Sequence, residues 1–156
     1  MKLKGLTLIE LLVAISIFLI LVIASIPIIV RSTGRDALED QAQITASFIE
    51  RARNYALHPE SEYASWYCVR RMGNSQLKIQ RWNSEKGKYE DIEENLKLPS
   101  GFQFNETFTT AVFNVPRGNY GGATAQIEIE KTGINGGKIL VSVESPGVIS
   151  VGEIYQ

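Results

Sequence analysis

Apolar residues crowd the start of the chain. From Leu6 to Val30 a single charge occurs, Glu10, and from Leu11 to Val30 only Ser16, Ser25 and Pro27 interrupt an uncharged run. Twenty helical residues span about 30 Å, the hydrocarbon thickness of a bilayer. Because Leu11 to Ile23 is apolar on every side, the pattern predicts a membrane helix rather than an amphipathic surface helix. From Asp36 to Leu57 the helical period persists but becomes one-sided. Ala37, Leu38, Gln41, Ile44, Thr45, Phe48, Ile49, Ala52, Tyr55 and Ala56 form a stripe suited to burial on a sheet, and Asp36, Glu39, Asp40, Glu50, Arg51, Arg53 and Asn54 face away from it. Pro59 disfavours helical geometry at the residue before it, so the helix should stop near His58. Anchor and stripe together predict one helix of about 50 residues, roughly 75 Å long, with Gly34 as a point of bending.

After Pro59 the period changes to two. Strands are predicted over Ser65–Arg71, Leu77–Trp82, Val112–Val115, Ala125–Glu130, Ile139–Val143 and Val148–Val151. Asn83–Lys88, Pro116–Gly118, Thr132–Gly137 and Pro146–Gly147 read as the turns, and Ile92–Phe104 is less regular, interrupted by Pro99–Gly101. Short strands punctuated by glycine indicate antiparallel sheet. The fold class is therefore α+β: a long amino-terminal helix, half transmembrane and half amphipathic, packed on a β-rich head. The segments are 1–5 as a short basic stretch, 6–30 as the span, 31–58 as the amphipathic continuation and 59–156 as the head.

Composition narrows the chemistry. The chain has 156 residues, with 16 Lys+Arg against 17 Asp+Glu, a formal charge of −1 that gives no global attraction to nucleic acid or acidic lipid. One histidine, His58, and one cysteine, Cys68, argue against a zinc site or an intrachain disulfide framework. No nucleophile–base pair can be assembled from one histidine and scattered serines, so neither an enzyme nor a cofactor is expected. Cys68 reads as a buried apolar thiol, with an intermolecular disulfide as the alternative. His58 belongs to the helix end, where imidazole suits the carbonyl dipole. Arg70, Arg71, Lys78, Arg81, Lys86 and Lys88 crowd one hairpin, next to the acidic run Glu90, Asp91, Glu93 and Glu94. Either these are two solvated faces, or the basic group docks the acidic run of a neighbour.

The first ten residues carry the remaining signal. The apolar run is longer than the 7–15 residues of a secretory signal, and Val22-Ile-Ala24 makes a poor cleavage site. A plain signal anchor leaves Glu10 without a purpose, although a mid-bilayer carboxylate costs about 2.5–3.5 kcal/mol on insertion scales. Gly5-Leu-Thr-Leu-Ile-Glu10-Leu-Leu, behind Lys2 and Lys4, resembles the class III leader and methylation motif of type IV pilins and type II secretion pseudopilins. The resemblance makes 1–5 a prepilin leader and implies cleavage after Gly5 by a prepilin peptidase and N-methylation of the new amino terminus, Leu6. Leu6 stands where the family usually has Phe. Glu10 would be the assembly carboxylate, counter-ion to the Leu6 amine of a neighbour in a greasy filament core where a lone charge is costly. Pro27 matches a proline common in type IV pilins. Lacking an N–H, it releases the carbonyl of Ile23 and would let the helix loosen, or it is a tolerated kink. The charges flanking the run do not decide orientation; the resemblance puts the amino terminus in the cytoplasm and the head outside, as a single-pass protein of the inner membrane.

Ile49-Glu-Arg-Ala-Arg-Asn-Tyr-Ala56, Phe113-Asn-Val-Pro-Arg-Gly118 and the closing Ile139–Val151 hairpin resemble the GspH/FimT group of minor pseudopilins. This implies a structural subunit of a type II secretion pseudopilus or a type IV pilus. Its partners would be other pilins or pseudopilins, an inner-membrane assembly platform and that platform's ATPase. A DNA-uptake minor pilin of the FimT type and an unrelated signal-anchored extracytoplasmic domain are the alternatives. Uptake relatives are expected to carry arginines near the closing hairpin and tail, whereas Ser145–Gln156 has no Lys or Arg and one acid, Glu153. No nucleic-acid partner is therefore expected.

Overall fold

The computed structural model describes residues 8–106, 110–122, 124–133 and 136–155, with the backbone alone at 23–33, 93 and 94. Helix α1 runs without a break over Leu8–Leu57, 50 residues, passing through both Pro27 and Gly34. Its last turn closes with the His58 N–H donating to the Asn54 carbonyl at 2.9 Å, and the chain turns away before Pro59.

The buried face of α1 is Leu38, Ala42, Thr45, Ala46, Phe48, Ile49, Ala52 and Ala56. This corrects the expected stripe at one point: Ile44 is 38% exposed, and Ala42 and Ala46 lie inward instead. Steps of three and four along Leu38, Ala42, Thr45/Ala46, Ile49, Ala52 and Ala56 keep one face toward the head. The alanines let the sheets approach the helix backbone closely, and a branched side chain at position 44 lies just outside that contact. Thr45 is buried without penalty because its hydroxyl donates to the Gln41 carbonyl at 2.8 Å.

Eight strands follow: β1 (Ala64–Arg71), β2 (Gln76–Asn83), β3 (Lys88–Lys97), β4 (Phe102–Phe104), β5 (Ala111–Asn114), β6 (Thr124–Lys131), β7 (Lys138–Glu144) and β8 (Val148–Val151). They form two antiparallel four-stranded sheets, in the orders β3-β2-β1-β5 and β4-β6-β7-β8. The helix packs across both, touching β1 and β5 of the first and β6, β7 and β8 of the second. Period-two patterning supplies the inward side chains. Tyr67, Val69, Leu77, Ile79 and Phe113 come from the first sheet, and Ile127, Ile129, Ile139, Val141 and Val143 from the second. Each such side chain contributes about 1.5–3 kcal/mol on burial. The Tyr55 ring stacks on Tyr67 with centroids 5.8 Å apart, fixing the upper end of the helix to β1. In the β2–β3 turn, Asn83 Oδ1 accepts the N–H groups of Glu85 and Lys86 at 3.0 and 3.1 Å, a side chain standing in for backbone.

Candidate functional site

Of the residues singled out by the sequence, Gly5 and Leu6 lie outside the described residues. Glu10 lies in α1, close to the start of the described residues. Pro27 lies within the continuous backbone of α1. From Leu8 to Val22 every side chain of α1 is exposed, including Leu8, Ile9, Leu11, Phe18, Ile20 and Leu21. The one hydroxyl in this stretch, Ser16, donates to the Leu12 carbonyl at 2.8 Å and so makes no demand on a partner. A continuous apolar surface of this kind exceeds what a soluble monomer tolerates. Among the described residues no helix is long and apolar enough to cross a membrane. The described side chains of the run end at Val22, short of the roughly 20 residues a span requires.

At its other end α1 is clamped to the head. Arg53 Nε donates to the Gly118 carbonyl at 3.2 Å. Gly118 adopts φ 60°, and a Cβ there would lie 2.7 Å from Leu57 Cγ. Gly147, at φ 121°, sits over the same guanidinium, with the position of its missing Cβ 3.2 Å from Arg53 Nε and 3.2 Å from the Gly118 carbonyl. The three stretches that carried the head's resemblance thus meet at one point. Sequence periodicity had placed Arg53 on the solvent face. Its reach to a carbonyl 65 residues away depends on tertiary packing that periodicity does not contain.

The charged hairpin is satisfied within the chain. Lys78 pairs with Asp91 at 2.9 Å, and Arg81 and Lys86 both reach Glu90, at 2.9 and 2.8 Å. Gln80 and Asn83 add hydrogen bonds to Asp91 and Glu90. Hydrogen bonds from Lys86, Arg81 and Asn83 hold the Glu90 carboxyl down at about 2, and those from Gln80 and Lys78 lower Asp91. Arg71 Nη1 donates to the carbonyls of Phe104 and Asn105 at 3.3 and 2.6 Å. The expectation that this basic group docks a neighbour's acidic run is corrected for Glu90 and Asp91: antiparallel pairing of β2 with β3 brings the two charge groups face to face in one chain. A second hub is Glu128, which accepts hydrogen bonds from Tyr155, Asn105 and Lys138 and so ties the end of the chain to the second sheet. Its carboxyl is lowered first by Tyr155, whose own hydroxyl is pushed up to about 12 by that bond. Neither tie was legible from the sequence, which showed only scattered single charges there.

Cys68 is buried, and burial pushes its thiol up to about 11, away from thiolate chemistry at neutral pH. Among the described residues no group of three or more His, Cys, Asp or Glu could hold a metal ion.

The amino-terminal motif is one that type IV pilin-like proteins carry, and the fold is similar to that of a pseudopilin. Residues 1–26 match the family model of the prokaryotic N-terminal methylation motif. The structure is similar to that of the minor pseudopilin EpsH from the type 2 secretion system of Vibrio cholerae. The TM-score is 0.54 and the identity 13%, over 73% of this chain and 94% of that one, a likeness of fold. No curated protein matches the sequence.

Proposed function

We propose that the chain is a structural subunit of a pilus-like filament, a minor pseudopilin or pilin anchored in the inner membrane by its first helix. The observation that carries this reading is the methylation motif over residues 1–26 leading directly into the exposed apolar half of an unbroken helix whose other half is built into the head. Prepilin peptidase would cut after Gly5 on the cytoplasmic side, and Leu6 would become the methylated amino terminus. The residues Leu6–Val30 would lie in the bilayer before assembly and among the helices of other pilins or pseudopilins afterwards. In that medium Glu10 would pair with the Leu6 amine of a neighbour, since two charges brought together cost less than two buried apart. An assembly platform and its ATPase would supply the work of extraction. The role is mechanical; nothing in the reading requires a reaction in the head.

Processing tests the reading. Co-expression with a prepilin peptidase should remove Met1–Gly5, and intact-mass measurement should find a chain beginning at Leu6 with an added methyl group. Gly5→Val should block the cut, because a branched side chain crowds a position that requires a small one. A chain left whole, or cut beyond Ala24, would remove the pilin reading.

A further inference from the structure

Each sheet has two edges, and an open edge is a row of unpaired N–H and C=O groups that invites another strand. Two of the four are closed by the chain itself and a third is blunted. On β5, the Gly121 N–H bonds the Val112 carbonyl and the Asn114 N–H bonds the Asn119 carbonyl. On β4, the Phe104 N–H bonds the Asn74 carbonyl, and Arg71 takes the carbonyl of Phe104. The edge of β3 is blunted by a register irregularity opposite Lys78/Gln80 and by charges along its length. β8 has none of these protections. Val148-Ile-Ser-Val151 holds no charge and no proline, and Val148 is 59% exposed.

The register says which groups face outward. The Gly152 N–H donates to the Leu140 carbonyl at 2.8 Å. In an antiparallel ladder the bonded residues alternate, so Ser150 and Val148 also bond β7, through Ser142 and Glu144. The N–H and C=O of Ile149 and Val151 therefore point away from the sheet, and among the described residues no hydrogen bond reaches them. The same two residues line a groove between β8 and α1 whose helical wall is Gln43, Ala46, Ser47 and Glu50. The edge offers backbone donors and acceptors, and the helix beside it an amide, a hydroxyl and a carboxylate. Glu50 is exposed, and among the described residues it has no ion pair.

We propose that this groove is a strand-addition site: an extended segment of a partner protein bearing a lysine or arginine joins β8 as a fifth strand of the second sheet. Backbone pairing to Ile149 and Val151 supplies the affinity, and the cation opposite Glu50 supplies the choice of segment. The proposal rests on β8 and the head-bound half of α1 and does not depend on cleavage after Gly5 or on the role of Glu10.

The test uses the full chain in detergent and a capped eight-residue peptide alternating valine or threonine with lysine. Amide hydrogen exchange at Ile149 and Val151 should slow tenfold or more with saturating peptide. The same peptide N-methylated on alternate residues, which cannot pair with an edge, should leave exchange unchanged. Glu50→Gln should weaken the lysine peptide several-fold while leaving a serine-substituted one unaffected. Ile149→Pro removes an N–H that makes no bond within the sheet, so the fold should survive on an edge strand while binding is lost. Equal slowing by the methylated peptide, or no slowing at millimolar peptide, overturns the proposal. So does protection present without peptide that falls on dilution, which would mean that a second copy of the chain fills the edge.

Discussion

Single residues hold the helix to the head, and their contributions can be separated. Gly118 has φ 60°, and a methyl group there meets Leu57 at 2.7 Å. The left-handed backbone costs a side chain about 1–2 kcal/mol before the clash is counted. Gly118→Ala should therefore destabilise the chain by about 1–3 kcal/mol and lower its thermal midpoint by several degrees. Leu57→Ala in the same chain should restore the clash component alone, so a double-mutant cycle should give a favourable coupling. Glu90 gives a pH signature. Its folded value of about 2 lies below the ordinary 4.5, so the stability it contributes is fully present above pH 4.5 and is lost as pH falls toward 2. Glu90→Gln should lower the melting midpoint at neutral pH and flatten its decline between pH 4.5 and 2; parallel curves for the two proteins would contradict the assignment. Residues of this kind were the hardest to foresee. Arg53, Glu90 and Glu128 owe their partners to strands and turns far along the chain, and a sequence shows a charge without showing what will be brought opposite it.

At the scale of elements, the strongest pattern was the easiest to read. The end of α1 near His58 and six of the strands follow from periodicity and punctuation. β3 was missed as a continuous strand because it is an edge: among its described side chains only Ile92 and Leu96 pack against the core, a register irregularity breaks the alternation, and Glu90 and Asp91 pair with β2. The stripe on α1 erred at Ile44 and passed over Ala42 and Ala46 because alanine carries too weak a hydrophobic signal to compete with isoleucine, although close packing of helix on sheet selects for it. Gly5, Leu6, Glu10 and Pro27 were singled out by motif resemblance alone, and the roles proposed for them concern processing and the assembled state. There the test is functional. Glu10→Val should leave cleavage largely intact yet weaken incorporation into a filament, because removing one member of a desolvated ion pair typically costs about 3–5 kcal/mol. Crosslinking to partner pseudopilins measures this, and an undiminished yield would deny Glu10 a part in assembly.

For the whole molecule, charge argues against a nucleic-acid partner. From Arg31 onward there are 14 basic and 16 acidic residues. The one basic group on the head is largely committed: Lys78, Arg81 and Lys86 to carboxylates, and Arg71 to carbonyls. Duplex DNA offers one phosphate charge per about 1.7 Å and is held through several uncommitted cations. The chain should therefore give no mobility shift with duplex DNA in low salt. Micromolar binding that weakens steeply with salt and vanishes in an Arg70→Ala, Arg71→Ala, Arg81→Ala variant would favour DNA uptake over secretion.

The unbroken α1 also sets how the molecule bears load. One end of the helix, Leu8–Val22, is exposed, and the other is buried against both sheets from Leu38 to Ala56, fastened near Arg53 and Gly118. Tension applied at the free end runs along the helix axis and meets the seam in shear. The many side-chain contacts between Leu38 and Ala56 then resist together instead of parting one after another, and each weak contact adds to the total. A helix joined to the head by a slack hinge would peel. Held along that whole stretch, this one passes a pull on its amino end to the head as a rod does.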